Sequence, residues 1–104
     1  MNYEVIFEPF TERHFIKSFA KKHKGAWDKT LKGLIVEFSF FDLLFLKSIA
    51  ETIVDLNDIE ICKTEFKIAG TEVSRHASGN RCIVAVHKNT RIVNVLLIYN
   101  KKVN

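Results

Sequence analysis

A chain of 104 residues is long enough for one domain with one hydrophobic core, and its 47% apolar and 27% charged composition is that of a globular protein. One Pro and four Gly argue against disorder and against a turn-rich sandwich, and no apolar run reaches membrane-spanning length. The net charge of +4 divides unevenly: residues 1–60 carry −2 and residues 61–104 carry +6. A basic half of this kind suits a polyanionic partner, although charge alone fits an unpartnered solvated surface equally well.

The opening MNYEVIFEPF has neither a positively charged start nor a small-residue cleavage site, so no signal peptide is expected and the setting is read as cytoplasmic. Residues 2–7 alternate as a short strand, which Pro9 ends. Thr11 is placed to cap a helix that runs to about Lys24, with Phe15, Ile16, Phe19, Ala20 and His23 on one face and Gly25 as its stop. A second helical pattern runs from Trp27 to Leu56 in steps of three and four. Such a helix would be roughly 40 Å long, so a break is expected near residues 39–42, where Ser39 and Asp42 have capping-box spacing.

The remainder reads as strands. In residues 60–69, Cys62, Thr64, Phe66 and Ile68 share one face and Lys63, Glu65 and Lys67 the other. Residues 71–80 are polar and loop-like. Residues 81–87 form an apolar central strand, Lys88-Asn89-Thr90 a hairpin turn, and residues 91–99 a last strand before a polar NKKVN tail. Simple alternation in that strand puts Val93, Val95, Leu97 and Tyr99 together, opposite Ile92, Asn94, Leu96 and Ile98. The expected class is α+β in the order β-α-α-β-β-β, one domain over residues 1–104, with two helices on one face of a small antiparallel-dominated sheet.

Few groups could carry chemistry. Lys63 and Lys67 form either a phosphate-contacting row or an exposed ladder of alternating charge. The tight turn Ser78-Gly79-Asn80 brings Arg81 near Arg75 and His76, a set suited to phosphate recognition; a solvent-exposed loop histidine and a structural ion pair for Arg81 are the plainer readings. Tyr99 could stack on a base or donate a proton, or sit as a core tyrosine with its hydroxyl at the rim. His87 reads as structural, and His14 and His23 are given no role. Cys62 and Cys82 read as two reduced, buried thiols. No GxGxxG, GxxxxGK[ST], HExxH or zinc quartet occurs, so any catalysis is expected to be metal-free and without a cofactor.

The element order and the run FKIAG…SRHASGNRCIVAVHKNTRIVNVLLIYNKK resemble the RelE/ParE superfamily of bacterial toxins. The match is a lysine-bearing strand closed by Gly, an Arg-containing loop, an Arg opening an apolar strand, and a last strand ending in Tyr and Lys. That resemblance implies an endoribonuclease cutting ribosome-bound mRNA by attack of the 2′-hydroxyl on the adjacent phosphate. It implies catalytic roles for Arg75, Arg81, Tyr99 and Lys101, RNA contacts from Lys63, Lys67, His76 and Lys102, and a cognate antitoxin as partner. A ParE-like gyrase inhibitor and a non-catalytic RNA-binding module on the same scaffold remain open. The sequence departs from the pattern in lacking a histidine in its IYNKKVN tail and in its long second helical region.

Overall fold

The structure, a computed structural model, describes residues 2–102. Strand β1 (Glu4–Phe7) leads into helix α1 (residues 9–22), α2 (Ala26–Ser39) and the short α3 (Phe41–Leu46). Strands β2 (Glu51–Asp55) and β3 (Ile59–Phe66), a one-turn helix α4 (Arg75–Ser78), β4 (Asn80–His87) and β5 (Ile92–Asn100) follow. The five strands form one sheet in the order β1-β5-β4-β3-β2, with β1 parallel to β5 and the other pairs antiparallel. Among the described residues no helix is long and apolar enough to cross a membrane.

The helices cover one sheet face, as expected. Trp27, Thr30, Leu34 and Phe38, at helical spacing on α2, are buried with Phe41 and Leu44 of α3. They pack on Cys62, Phe66, Cys82, Val84, Val86, Val93, Val95 and Ile98. Both cysteines are free and buried, and burial raises the Cys62 thiol to about 11 and the Cys82 thiol further still. Neither is a reactive thiolate at neutral pH.

Three local expectations need correction. The helical run does not reach Leu56. Ser48 adopts φ 56° after α3, and residues 51–55 form a fifth strand at the sheet edge. Consecutive β-branched Thr52, Ile53 and Val54 favour extended backbone, a preference that apolar spacing alone does not reveal. Asn57, at φ 70°, turns the β2–β3 hairpin rather than closing a helix. The unusually long helical region therefore disappears, while the break at residues 39–42 is real. It is made by Phe40 without a capping box, and Asp42 instead accepts from the Tyr3 hydroxyl at 2.8 Å and from Arg91 at 3.0 Å.

Thr11 is not the cap of α1. The helix starts at Pro9, with Glu8 at the cap position, and the Thr11 side chain is buried. Its hydroxyl reaches the carbonyls of Val95 and Leu96 in β5.

The third correction moves the site. Ile83 pairs with Leu97, but Val84 pairs with Val95, so Leu96 is an extra residue in β5. A bulge of this kind inverts the alternation beyond it. Val93, Val95 and Ile98 therefore share the core face, while Leu97 and Tyr99 turn to the face away from the helices.

Candidate polyanion-binding site

In-register pairing lays Glu65, Arg81 and Tyr99 in one row across β3, β4 and β5, on the sheet face opposite the helices. Arg81 sits at the start of β4 because Gly79, at φ 79°, ends α4 in the left-handed region. The Arg81 side chain is 3% exposed, and its Nη2 lies 3.0 Å from Glu65 Oε2. It also donates to the carbonyls of Asn80 (3.0 Å) and His76 (3.2 Å). His76 Nδ1 lies 2.7 Å from the same Glu65 carboxylate, yet its ring is 77% exposed.

Arg75 reaches Glu65 too, but at the backbone: Nη1 approaches the Glu65 carbonyl at 3.4 Å. Its main partner is Glu37 of α2, which takes both guanidinium nitrogens, Nη1 at 2.8 Å. Arg75 thus ties α4 to α2 along the part of β3 that β2 does not cover. The two arginines do gather near one point, as expected. Each, however, is paired to a carboxylate, and neither faces outward as an unpaired phosphate ligand.

The lysines divide similarly. Lys63 lies 3.7 Å from Glu51 on β2, a partner hidden from a sequence reading that made residue 51 helical. Lys67 and Lys101 are exposed, and Lys101 lies close enough to Glu65 to help hold it ionised. The backbone N–H of Lys101 donates to the Gly79 carbonyl at 2.9 Å, and the Lys102 ammonium donates to the Ala77 carbonyl. The tail is thereby folded back onto α4, beside His76. Among the described residues no group of three or more His, Cys, Asp or Glu gathers where it could hold a metal ion.

Partial burial pushes the Glu65 carboxyl up, but the His76 hydrogen bond and the charges of Arg81, His76 and Lys101 outweigh it and leave Glu65 below the ordinary carboxylate value. A depressed folded value means that the stabilisation is complete above the unfolded value of about 4.3 and is lost as pH falls through the folded one. Urea midpoints measured from pH 7 down to pH 3 should therefore fall more steeply in the wild type than in Glu65→Gln. Parallel curves would show that Glu65 is not so held.

A second concavity lies on the helix side. A cleft of about 340 Å³ separates α1 from the ends of β4 and β5. His14, Ser18, Lys22 and His23 line it from α1, and Asn80, Tyr99 and Asn100 line it from the sheet. The sequence alone assigns these α1 residues no role, although His14, Ser18 and Lys22 recur at every fourth residue, the signature of one helix stripe.

Three helices ahead of a hairpin-built, mostly antiparallel sheet, with one parallel edge strand and a basic open face, make a small α+β fold. That fold is RelE-like. Over 97% of both chains the protein is similar to a chain in the crystal structure of the archaeal RelE–RelB complex from Pyrococcus horikoshii OT3, with a TM-score of 0.58 and 13% identity. No family model and no curated protein matches the sequence.

Proposed function

We propose that the protein is the toxin of a toxin–antitoxin pair, acting in the cytoplasm as a metal-independent endoribonuclease on ribosome-bound mRNA. The observation that supports this most is the Leu96 bulge, which turns Tyr99 out of the core and sets it beside Arg81, with Lys101 just beyond. In this reading Tyr99 exchanges the proton and Lys101 meets the charge that develops on the phosphoryl oxygens. Arg81 holds the Glu65–His76 pair in place, making it a positioning residue, and Arg75 holds α4 against α2. Lys63, Lys67, His76 and Lys102 supply the surrounding contacts to RNA phosphates. The matched archaeal structure is a RelE–RelB complex, and a cognate antitoxin is proposed here by that likeness.

The pairing of Arg75 and Arg81 to Glu37 and Glu65 favours a second reading, in which the same surface binds RNA without cutting it. Induced expression in a bacterium, with mRNA 5′ ends mapped, separates the two. Codon-phased cuts are expected, reduced about a hundredfold in Tyr99→Phe and in Lys101→Ala, within the usual contribution of proton transfer and charge stabilisation. RNA bound but intact would favour the binding module. Growth arrest with intact mRNA and induced DNA damage would point to a gyrase target.

A further inference from the structure

The cleft between α1 and the sheet ends shares Tyr99 with the Arg81 row, but its other lining residues have no part in the proposed cleavage. Its polar lining is made of hydrogen-bond donors and neutral groups. Lys22 supplies a cation, His14, His23 and Ser18 supply ring nitrogens and a hydroxyl, and among the described residues no carboxylate lines it.

Asn80 gives the more specific signal. The residue is only 5% exposed and lines the cleft. The Lys102 backbone N–H donates to Asn100 Oδ1 at 2.8 Å, which fixes the orientation of that amide. Asn100 Nδ2 must then be the group that donates, and it does so to the Ser78 carbonyl at 3.1 Å and to Asn80 Oδ1 at 2.7 Å. With its oxygen so used, Asn80 keeps its Nδ2 donor for the cleft, where no described residue accepts from it. Asn80 Nδ2, with no acceptor among the described residues, is open to an acceptor that enters the cleft beside Lys22.

The rest of the lining says what that acceptor is attached to. Phe15 and Phe19 form an apolar wall, and the Phe19 ring stacks on Trp27 (centroids 5.0 Å apart) and His23 (6.0 Å), which holds it flat and rigid. The π-helical turn over Glu12–Ile16 lies where His14 and Phe15 enter the cleft, and such turns recur at functional sites. The volume falls in the range of small-ligand sites, about 300–1,000 Å³. From an anion-seeking donor set beside a flat aromatic wall, we infer that this cleft binds a nucleotide. The phosphate lies against Lys22 and Asn80 Nδ2, and the base against Phe15 and Phe19.

The test is titration of the full chain with adenosine 5′-monophosphate, followed by the backbone and Asn side-chain amide resonances in NMR. Adenosine, ribose 5-phosphate and inorganic phosphate serve as comparison probes. Adenosine 5′-monophosphate is expected to move the Asn80 side-chain amide and the residue 14–23 resonances, and to bind more tightly than any of the other three. Lys22 is exposed, so Lys22→Ala keeps the fold, and its affinity should fall about tenfold or more, the loss of one charge-assisted hydrogen bond. Asn80→Asp, which keeps the acceptor for Asn100 but presents an oxygen to the phosphate, should lose binding while leaving the amide spectrum outside the cleft in place. The inference is overturned if the nucleotide leaves the cleft resonances unmoved, if adenosine binds as well, or if Lys22→Ala binds unchanged. Should Asn80→Asp fail to fold, the Lys22→Ala comparison decides alone.

Discussion

Replacing Arg81 with Met should lower the unfolding free energy by about 3 kcal/mol, the low end for breaking a buried ion pair. The guanidinium is almost wholly enclosed and serves the Glu65 carboxylate and two backbone carbonyls, so its loss leaves three acceptors short of a donor. Glu65 keeps His76 and some solvent, which is why the upper end is not expected. In a chain of this size the change amounts to a fall in melting temperature of roughly 10–20 °C. Glu65→Gln should cost less, and the double variant Arg81→Met/Glu65→Gln should be more stable than the sum of the singles, because neither then leaves an uncompensated charge. Thermal and urea unfolding of the four proteins checks this, and an Arg81→Met protein within about 0.5 kcal/mol of wild type would contradict it. A loss of activity in an Arg81 variant would therefore report folding before chemistry, and for that reason Tyr99 and Lys101 are the informative substitutions.

Gly79→Ala should be the most disruptive small substitution in the site. At φ 79° the backbone is left-handed, and a built Cβ would stand 2.9 Å from Lys102 Cγ and 3.0 Å from Asn100 Oδ1. The lysine chain can swing aside. The Asn100 oxygen cannot do so easily, since the Lys102 N–H and the Asn80–Asn100 amide pair fix it. Left-handed strain of about 1–2 kcal/mol and the displaced tail together suggest a loss of about 2 kcal/mol. Lys101 and Lys102 should also detach from α4, so any RNA affinity should fall even where the protein stays folded. Denaturant unfolding and filter binding of a single-stranded RNA measure the two effects separately, and an Ala variant with wild-type stability would refute the argument.

Much of the fold was legible in the sequence because it follows from periodicity. The face of β3 that carries Cys62, Thr64 and Phe66 is buried as its alternation predicts, and the α2 stripe lies where its spacing puts it. Strand β2 was not legible, because Ile53 and Leu56 fit a helical spacing by chance while the conformational preference of the β-branched run points the other way. The gathering of Arg75, His76 and Arg81 near one point could be read from the Ser78-Gly79-Asn80 turn. Their partners could not: Glu37 lies 38 residues from Arg75 in sequence, and only the docking of α2 on the sheet brings them together. Plain alternation groups Tyr99 with Val93 and Val95, and the structure separates them, since nothing in RIVNVLLIYN marks Leu96 as the surplus residue.

That surplus residue works as a parity bit. Every side chain of β5 before it obeys one odd–even rule, and every side chain after it obeys the opposite one. Deleting Leu96 would remove the slip and leave Ile98 inward and Tyr99 outward, whereas keeping Leu96 in an unbroken alternation would exchange Ile98 for Leu97 and Tyr99 in the core. The single hydroxyl of Thr11, which engages the two carbonyls at the slip, guards that bit. The outward-facing chemistry of the sheet is in this sense encoded by a count of residues, with a threonine 84 positions away as its checksum.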